Sequence, residues 1–365
     1  MINLVLRKHP SSIEDKPCPR LMRGLLILLF LFLPAIAIAD SALTINQINI
    51  ERFPDIVIYL TATDERGNPI WGLSNSHFIA QEDSSAVVTR EVLPLAGGNE
   101  PLFVVLAIDR SGSMKGQPIE DAKQAAKEFI KETMAIDQVG VIAFDDRVTV
   151  ISTLTSDKNA LNNAIDGITV DRDTALNDAI MKSLEPLSSL KGKRRAIVAL
   201  TDGKENKSKA SREDVVQEAI KLGVPIITVG LGDKIDSNVL KSLTERSGGR
   251  AFFAKYSSEL PDLYRVIARQ LVNQYRVTLV SPKGLDGEWH KLRIQVNAAQ
   301  GKVGTERVYL ATLKPVLNAK VLMDYRKKDE WEYLAKIVFI FLIPTLLLAI
   351  VVTIYFRRKK AMRLG

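Results

Sequence analysis

The stretch Leu102-Phe-Val-Val-Leu-Ala-Ile-Asp109-Arg-Ser-Gly-Ser113-Met114 decides how this chain is read. Seven apolar residues without alternation predict a strand buried on both faces, as in a parallel sheet covered by helices. The strand runs directly into Asp-x-Ser-x-Ser, and behind it Ile119, Ala122, Ala126, Phe129 and Ile130 recur at helical spacing. A strand, a polar loop and a helix in that order place the loop at the carboxyl end of a strand. In an open α/β sheet that edge is where ligands bind.

The same pattern continues outward. Val139 to Phe144, Ala196 to Leu200, Ile226 to Val229 and Ala251 to Phe253 read as further buried strands. Leu260, Leu263, Tyr264, Ile267, Leu271 and Tyr275 keep the spacing of a helix face. Alternation of this kind predicts an α/β fold with a doubly wound, mostly parallel sheet over residues 100–275. On either side the pattern changes. Residues 40–99 alternate apolar and polar around Ile45, Ile48, Ile50 and Ile56 to Leu60, with turns near Asp64 to Pro69 and a linker at Pro94 to Asn99. Strand patterning returns after Tyr275 (Val277 to Val280, Leu292 to Val296, Val303 to Leu310). Neither flank has enough strands to bury a core alone, so residues 40–99 and 276–320 are expected to pair into one small β-sandwich.

The net charge of +8 is a property of the chain ends. Residues 1–39 carry +3 and residues 336–365 carry +6, which leaves the middle at −1 and argues against nucleic acid as a partner. Arg20 and Arg23 precede the apolar run Leu25 to Pro34 and then Ala35-Ile-Ala-Ile-Ala39, the order of a signal peptide over residues 1–39, with Met22 as an alternative start. Residues 321–336 read as juxtamembrane. Ile337 to Phe356 is 20 residues without a charge, long enough to span a bilayer, and Arg357-Arg-Lys-Lys360 follows it. The expected topology is a bacterial membrane protein with one span at 337–356, a cytoplasmic tail at 357–365 and everything between the two signals on the outer side. Cys18 is the only cysteine and the histidines are His9, His77 and His290, so disulfide scaffolds and Cys/His zinc sites are excluded.

Two later motifs add to the Asp109 loop. Ala196 to Leu200 ends in Thr201-Asp202-Gly203, a second carboxylate at the same sheet edge, and Asp173-Thr174-Ala-Leu-Asn-Asp178 sets a hydroxyl just before an amphipathic stretch. All of these offer oxygen, the donor a hard divalent cation requires. With these motifs in this order, Pro101 to Tyr275 resembles a von Willebrand factor type A domain carrying a metal-ion-dependent adhesion site. The resemblance implies Ser111, Ser113 and Thr174 as hydroxyl ligands of Mg²⁺ or Mn²⁺, with Asp109 and Asp202 bound directly or through water. It also implies a protein partner that supplies an Asp or Glu carboxylate to the ion. Where the family often has small glycines before the threonine, this chain has Arg172-Asp173, which can crowd the site, supply an oxygen or pair with each other.

The expectation is a membrane-anchored, non-enzymatic protein-binding module. An assembly or scaffold subunit with a structural metal is the rival reading. The strand ending in Asp109 also resembles the nucleophile loop of haloacid-dehalogenase-type phosphatases, but their second aspartate, two residues on, is Ser111 here. No Gly-x-Ser-x-Gly elbow surrounds Ser111 or Ser113. Asp145-Asp146 reads as an edge turn, and Lys191-Gly-Lys-Arg-Arg195 as a solvated turn.

Overall fold

The computed structural model describes residues 42–98, 100–171, 173–203, 207–233, 235–298 and 301–311. The expected signal peptide, Arg172, the span at 337–356 and the tail lie outside them. Among the described residues no helix is long and apolar enough to cross a membrane.

The α/β head is a six-stranded sheet. Its strands are β5 (Leu102–Asp109), β6 (Gln138–Phe144), β7 (Val148–Thr155), β8 (Arg194–Thr201), β9 (Ile226–Leu231) and β10 (Ala251–Ala254), in the order β10-β9-β8-β5-β6-β7. All neighbours are parallel except β6 and β7. Alternate residues of β5 serve opposite faces. Val104, Leu106 and Ile108 pack with helices α1 (Gln117–Glu132), α2 (Lys158–Asp166) and α6 (Leu260–Val272). Phe103, Val105 and Ala107 pack with α3 (Leu176–Ser188), α4 (Arg212–Leu222) and α5 (Ser237–Ser247). Burial on both faces is why β5 is apolar at every position before Asp109. The chain moves outward from β5 to β6 and β7, then returns to β8 on the other side of β5. The strand order therefore reverses at β5, and Asp109 sits at the end of that strand.

The antiparallel edge strand β7 leaves no apolar run in the sequence, because its residues are half exposed. Two expectations are corrected here. Strand β10 is an edge with Phe253 42% exposed, rather than a buried strand. Tyr275, at helical spacing from Leu271, begins a strand instead: α6 stops at Val272 and the Tyr275 hydroxyl donates to Ile70 O at 2.9 Å.

The flanking segments form one antiparallel sheet in the order β1-β2-β11-β4-β3-β12-β13. Its strands are β1 (Ala42–Arg52), β2 (Asp55–Thr63), β3 (Phe78–Glu82), β4 (Ser85–Pro94), β11 (Tyr275–Val280), β12 (Trp289–Ala298) and β13 (Gly301–Leu310). Strand β4 pairs with β3 through its first residues and with β11 through Val88–Pro94. The sheet bends at β4, and Arg307 of β13 donates to Ile45 O and Asn46 O of β1 at 3.1 and 2.6 Å, so its two ends meet. Ile56, Ile58, Leu60, Val277, Leu279 and Ile294 fill the interior.

Sandwich and head join around Arg194 and Arg195, which are 1% and 5% exposed. These residues are the second half of the presumed solvated turn, and the correction has a physical cause. Arg194 donates to Leu271 O (2.6 Å) and Val272 O (3.2 Å), capping the carboxyl end of α6, and to Glu100 O at 2.9 Å. Arg195 caps α3 through Leu187 O (3.0 Å) and α4 through Leu222 O (2.6 Å). Helix carboxyl ends leave carbonyls unpaired and carry partial negative charge, so they hold a buried guanidinium in place of solvent. Replacing Arg194 with Met should strand those carbonyls and destabilise the protein by roughly 3 kcal/mol. Lys191→Ala should change stability by less than about 0.5 kcal/mol. Urea denaturation of the two variants measures both, and equal midpoints would contradict the capping role.

Candidate metal site

The Asp109 loop is anchored from both ends. Asp109 closes β5, and Met114, wholly buried in the α1 side of the core, ends a short 3-10 turn over Gly112–Met114. Between these anchors the Asp109 carboxylate turns back on its own loop, accepting from Ser111 N at 2.8 Å. Its other oxygen accepts from the Thr201 hydroxyl at 2.7 Å. Thr201 is the last residue of β8, so this bond ties the two central strand ends together.

The expected ligand residues meet in this place. Ser111 Oγ and Ser113 Oγ lie 3.2 Å apart, and Ser113 Oγ donates to Asp202 Oδ1 at 2.7 Å. Thr174 is buried, and its Oγ1 would lie 3.1 Å from a Cβ added at Gly203, which sets the hydroxyl directly against the Asp202-Gly203 turn. Five oxygen-bearing side chains from three loops are thus gathered at the carboxyl edge of β5 and β8. Asp173, one of the two residues that replace small glycines, pairs with Lys207 at 3.3 Å.

Electrostatics mark the centre of this group. Burial pushes the Asp109 carboxyl from its ordinary 3.8 up to about 6, and the nearby Asp202 carboxylate adds to the rise; the donors Ser111 and Thr201 oppose it. Asp109 has no basic side chain within 4 Å among the described residues. A buried carboxylate with hydroxyl neighbours is an arrangement that a divalent ion would complete, and an all-oxygen donor set suits a hard cation.

Several supporting residues carry little or no signal in the sequence. Thr201 stands in the Thr201-Asp202-Gly203 motif with nothing local to mark its bond to Asp109. Asp145, in the turn that joins β6 to the edge strand β7, is 0% exposed, and Arg110 Nη2 lies 2.7 Å from its Oδ2. Burial raises its carboxyl pKa, opposed by the Arg147 N–H and the Arg110 charge. Asp178, in the first turn of α3, accepts from Lys209 N (2.9 Å) and Ala210 N (2.8 Å) and so holds those two residues against the amino end of α3. In the sequence Asp178 is marked only by its place four residues after Thr174 in the first turn of a helix; its bonds to Lys209 and Ala210 are distant contacts.

Residues 104–266 match the von Willebrand factor type A domain. An uncharacterized protein of Synechocystis sp. is 28% identical over 183 residues, which is 47% of this chain and 42% of that protein. This chain therefore spans less than half the length of that relative. Among solved structures, a von Willebrand factor type A protein from Catenulispora acidiphila is 14% identical with a TM-score of 0.46, over 78% of this chain and 77% of that one. The proximal thread matrix protein 1 of the mussel byssus, with a zinc-occupied MIDAS motif, is 19% identical with a TM-score of 0.46, over 53% of this chain and 50% of that one.

The raised pKa of Asp109 has a signed consequence. The folded chain holds this proton more tightly than the unfolded chain, so in chelator its contribution to stability falls as pH rises from about 4 to about 6 and is constant above that. Over this window the change is roughly 2–3 kcal/mol. Urea midpoints in chelator at pH 4, 5, 6 and 7 should show a steeper fall for the wild type than for Asp109→Asn; parallel curves would contradict it.

Proposed function

With residues 104–266 forming a von Willebrand factor type A domain, we propose that the protein is a metal-dependent protein-binding module. In this reading Asp109, Ser111, Ser113, Thr174 and Asp202 hold a divalent cation, Mg²⁺ or Mn²⁺. The observation that carries it is the bond from Ser113 Oγ to Asp202 Oδ1, 2.7 Å long between residues 89 positions apart. It joins the two motifs at the point where the strand order reverses.

When bound, the ion supplies a positive centre that an anionic group from outside can reach. The protein's own residues set how positive that centre is. Three of the five donors are neutral hydroxyls, so the two carboxylates can at most cancel the cation's charge and leave no excess negative charge to repel an incoming carboxylate. Thr201 holds one of those carboxylates by its second oxygen, which limits how it can turn. An Asp or Glu of a partner protein is the group that fits such a site. Binding rather than turnover is proposed because Ser111 stands two residues after Asp109, where a phosphatase of the aspartate-nucleophile kind needs its acid/base carboxylate.

Calorimetry on the purified full chain with MgCl₂ or MnCl₂ alone should give saturable binding, lost in Asp202→Ala and in Ser113→Ala. No heat at millimolar metal would refute the site. Capture of partners from membranes should be abolished by chelator and by either substitution, and restored to the wild type by Mg²⁺; capture that survives them would place docking elsewhere.

We further propose that Ile337 to Phe356 anchors the chain in a bacterial membrane with the head on the outer side. The charge-free run followed by Arg357-Arg-Lys-Lys360 supports this topology. Protease added to spheroplasts should digest the head and spare a C-terminal tag, and the opposite pattern would reverse the orientation.

A further inference from the structure

Among the described residues, two backbone bonds tie Asp171 and Ala175, on either side of Thr174, to the neighbouring strand ends. Asp171 N donates to Arg110 O at 2.9 Å, and Ala175 N donates to Asp145 O at 2.7 Å. Both acceptors belong to residues whose side chains form an ion pair, Arg110 Nη2 to Asp145 Oδ2 at 2.7 Å. The pair is itself braced. Arg110 N donates to Phe144 O at 2.8 Å, Arg147 N donates to Asp145 Oδ1 at 2.7 Å, and Arg110 Nη2 donates to Thr149 Oγ1 at 3.3 Å. Arg110 lies inside the Asp109–Ser113 motif and Asp145 immediately follows β6, so the pair bridges the ends of adjacent strands β5 and β6. Asp171 and Ala175, on either side of Thr174, hang from that bridge.

We propose that Asp145, acting through Arg110, is a positioning residue for the cation site: the pair sets the distance of the Thr174 hydroxyl from the Asp109 and Asp202 loops. The inference rests on the reading of the site as a cation site. A carboxylate wholly withdrawn from water is costly to keep, and its partner Arg110 is only partly exposed. Stability alone gives little reason for such a pair at a loop. Precision gives one, because a hydroxyl binds a divalent ion weakly unless it is already held at ligand distance, and groups that orient ligands typically control affinity by about 10- to 100-fold.

The test measures Mn²⁺ and Mg²⁺ binding to the full chain by calorimetry, with hydrogen exchange on the segment 171–175. Asp145→Asn keeps the side chain's size and its bond from Arg147 N but removes the charge. Its metal affinity should fall roughly 10- to 100-fold, and exchange at 171–175 should quicken in the metal-free chain while β5 and β8 stay protected. Arg110→Lys preserves a cation opposite Asp145 and should recover most of the affinity, whereas Arg110→Gln should behave as Asp145→Asn does. If Asp145→Asn fails to fold, the two Arg110 variants carry the comparison. Wild-type affinity in Asp145→Asn or Arg110→Gln, alongside lost binding in Asp202→Ala, would overturn the positioning role and leave the cation site standing. No binding by the wild type would remove both.

Discussion

The structure depends on the buried guanidinium of Arg194. One polypeptide builds two cores here, and the head is spliced into the sandwich between β4 and β11. Such an insertion holds its place only if the points where the chain enters and leaves the head stay together. Arg194 provides this with one rigid fork: it bonds Glu100 O where the chain enters, the α6 carboxyl end where it leaves, and Gln274 Oε1 at 3.4 Å just beyond. Leu95 N donates to Gln274 O at 2.9 Å and closes the junction. Arginine suits the position because its planar donors remain charged when buried and are fixed relative to one another.

This junction and the site occupy opposite ends of β8. Arg194 begins the strand and Thr201 ends it. Between them every residue is buried, and the strand is a straight connection from the sandwich to the Asp109–Thr201 bond. The loops at the carboxyl edge can therefore be spent on polar groups, since the stability of the head is supplied by the layers beneath them.

How much of this was legible in the sequence follows from the physical range of each signal. The strand ending at Asp109 and its serines form a contiguous string, so both fold class and three ligand candidates could be read there. Thr174 and Asp202 could be read because each sits where a local pattern changes, at a helix start or a strand end. Arg194 and Arg195 could not: a cluster of basic residues implies solvent unless one knows that three helices end around it. Asp145 does lie in the turn read there, between β6 and the edge strand β7, but its burial could not be read for the same reason, since its partner Arg110 is 35 positions away. Tyr275 misleads because one turn of helix would separate it from Leu271, and what fixes it in a strand, its hydroxyl's bond to Ile70 O inside the sandwich, is a distant contact.

The splice also determines how a pull on the head would be borne. Pro94 and Tyr275 face each other at the head end of β4 and β11, which run antiparallel as immediate neighbours. A force drawing the head away along these strands moves both in the same direction, so their mutual ladder is not made to slide. The load passes instead to the outer ladders, β11 against β2 over Tyr275–Val280 and β4 against β3 over Ser85–Val87. Hydrogen bonds in those antiparallel ladders lie across the direction of the force. They must yield together rather than open one after another, so tension applied to the head meets the sandwich in its mechanically strong direction.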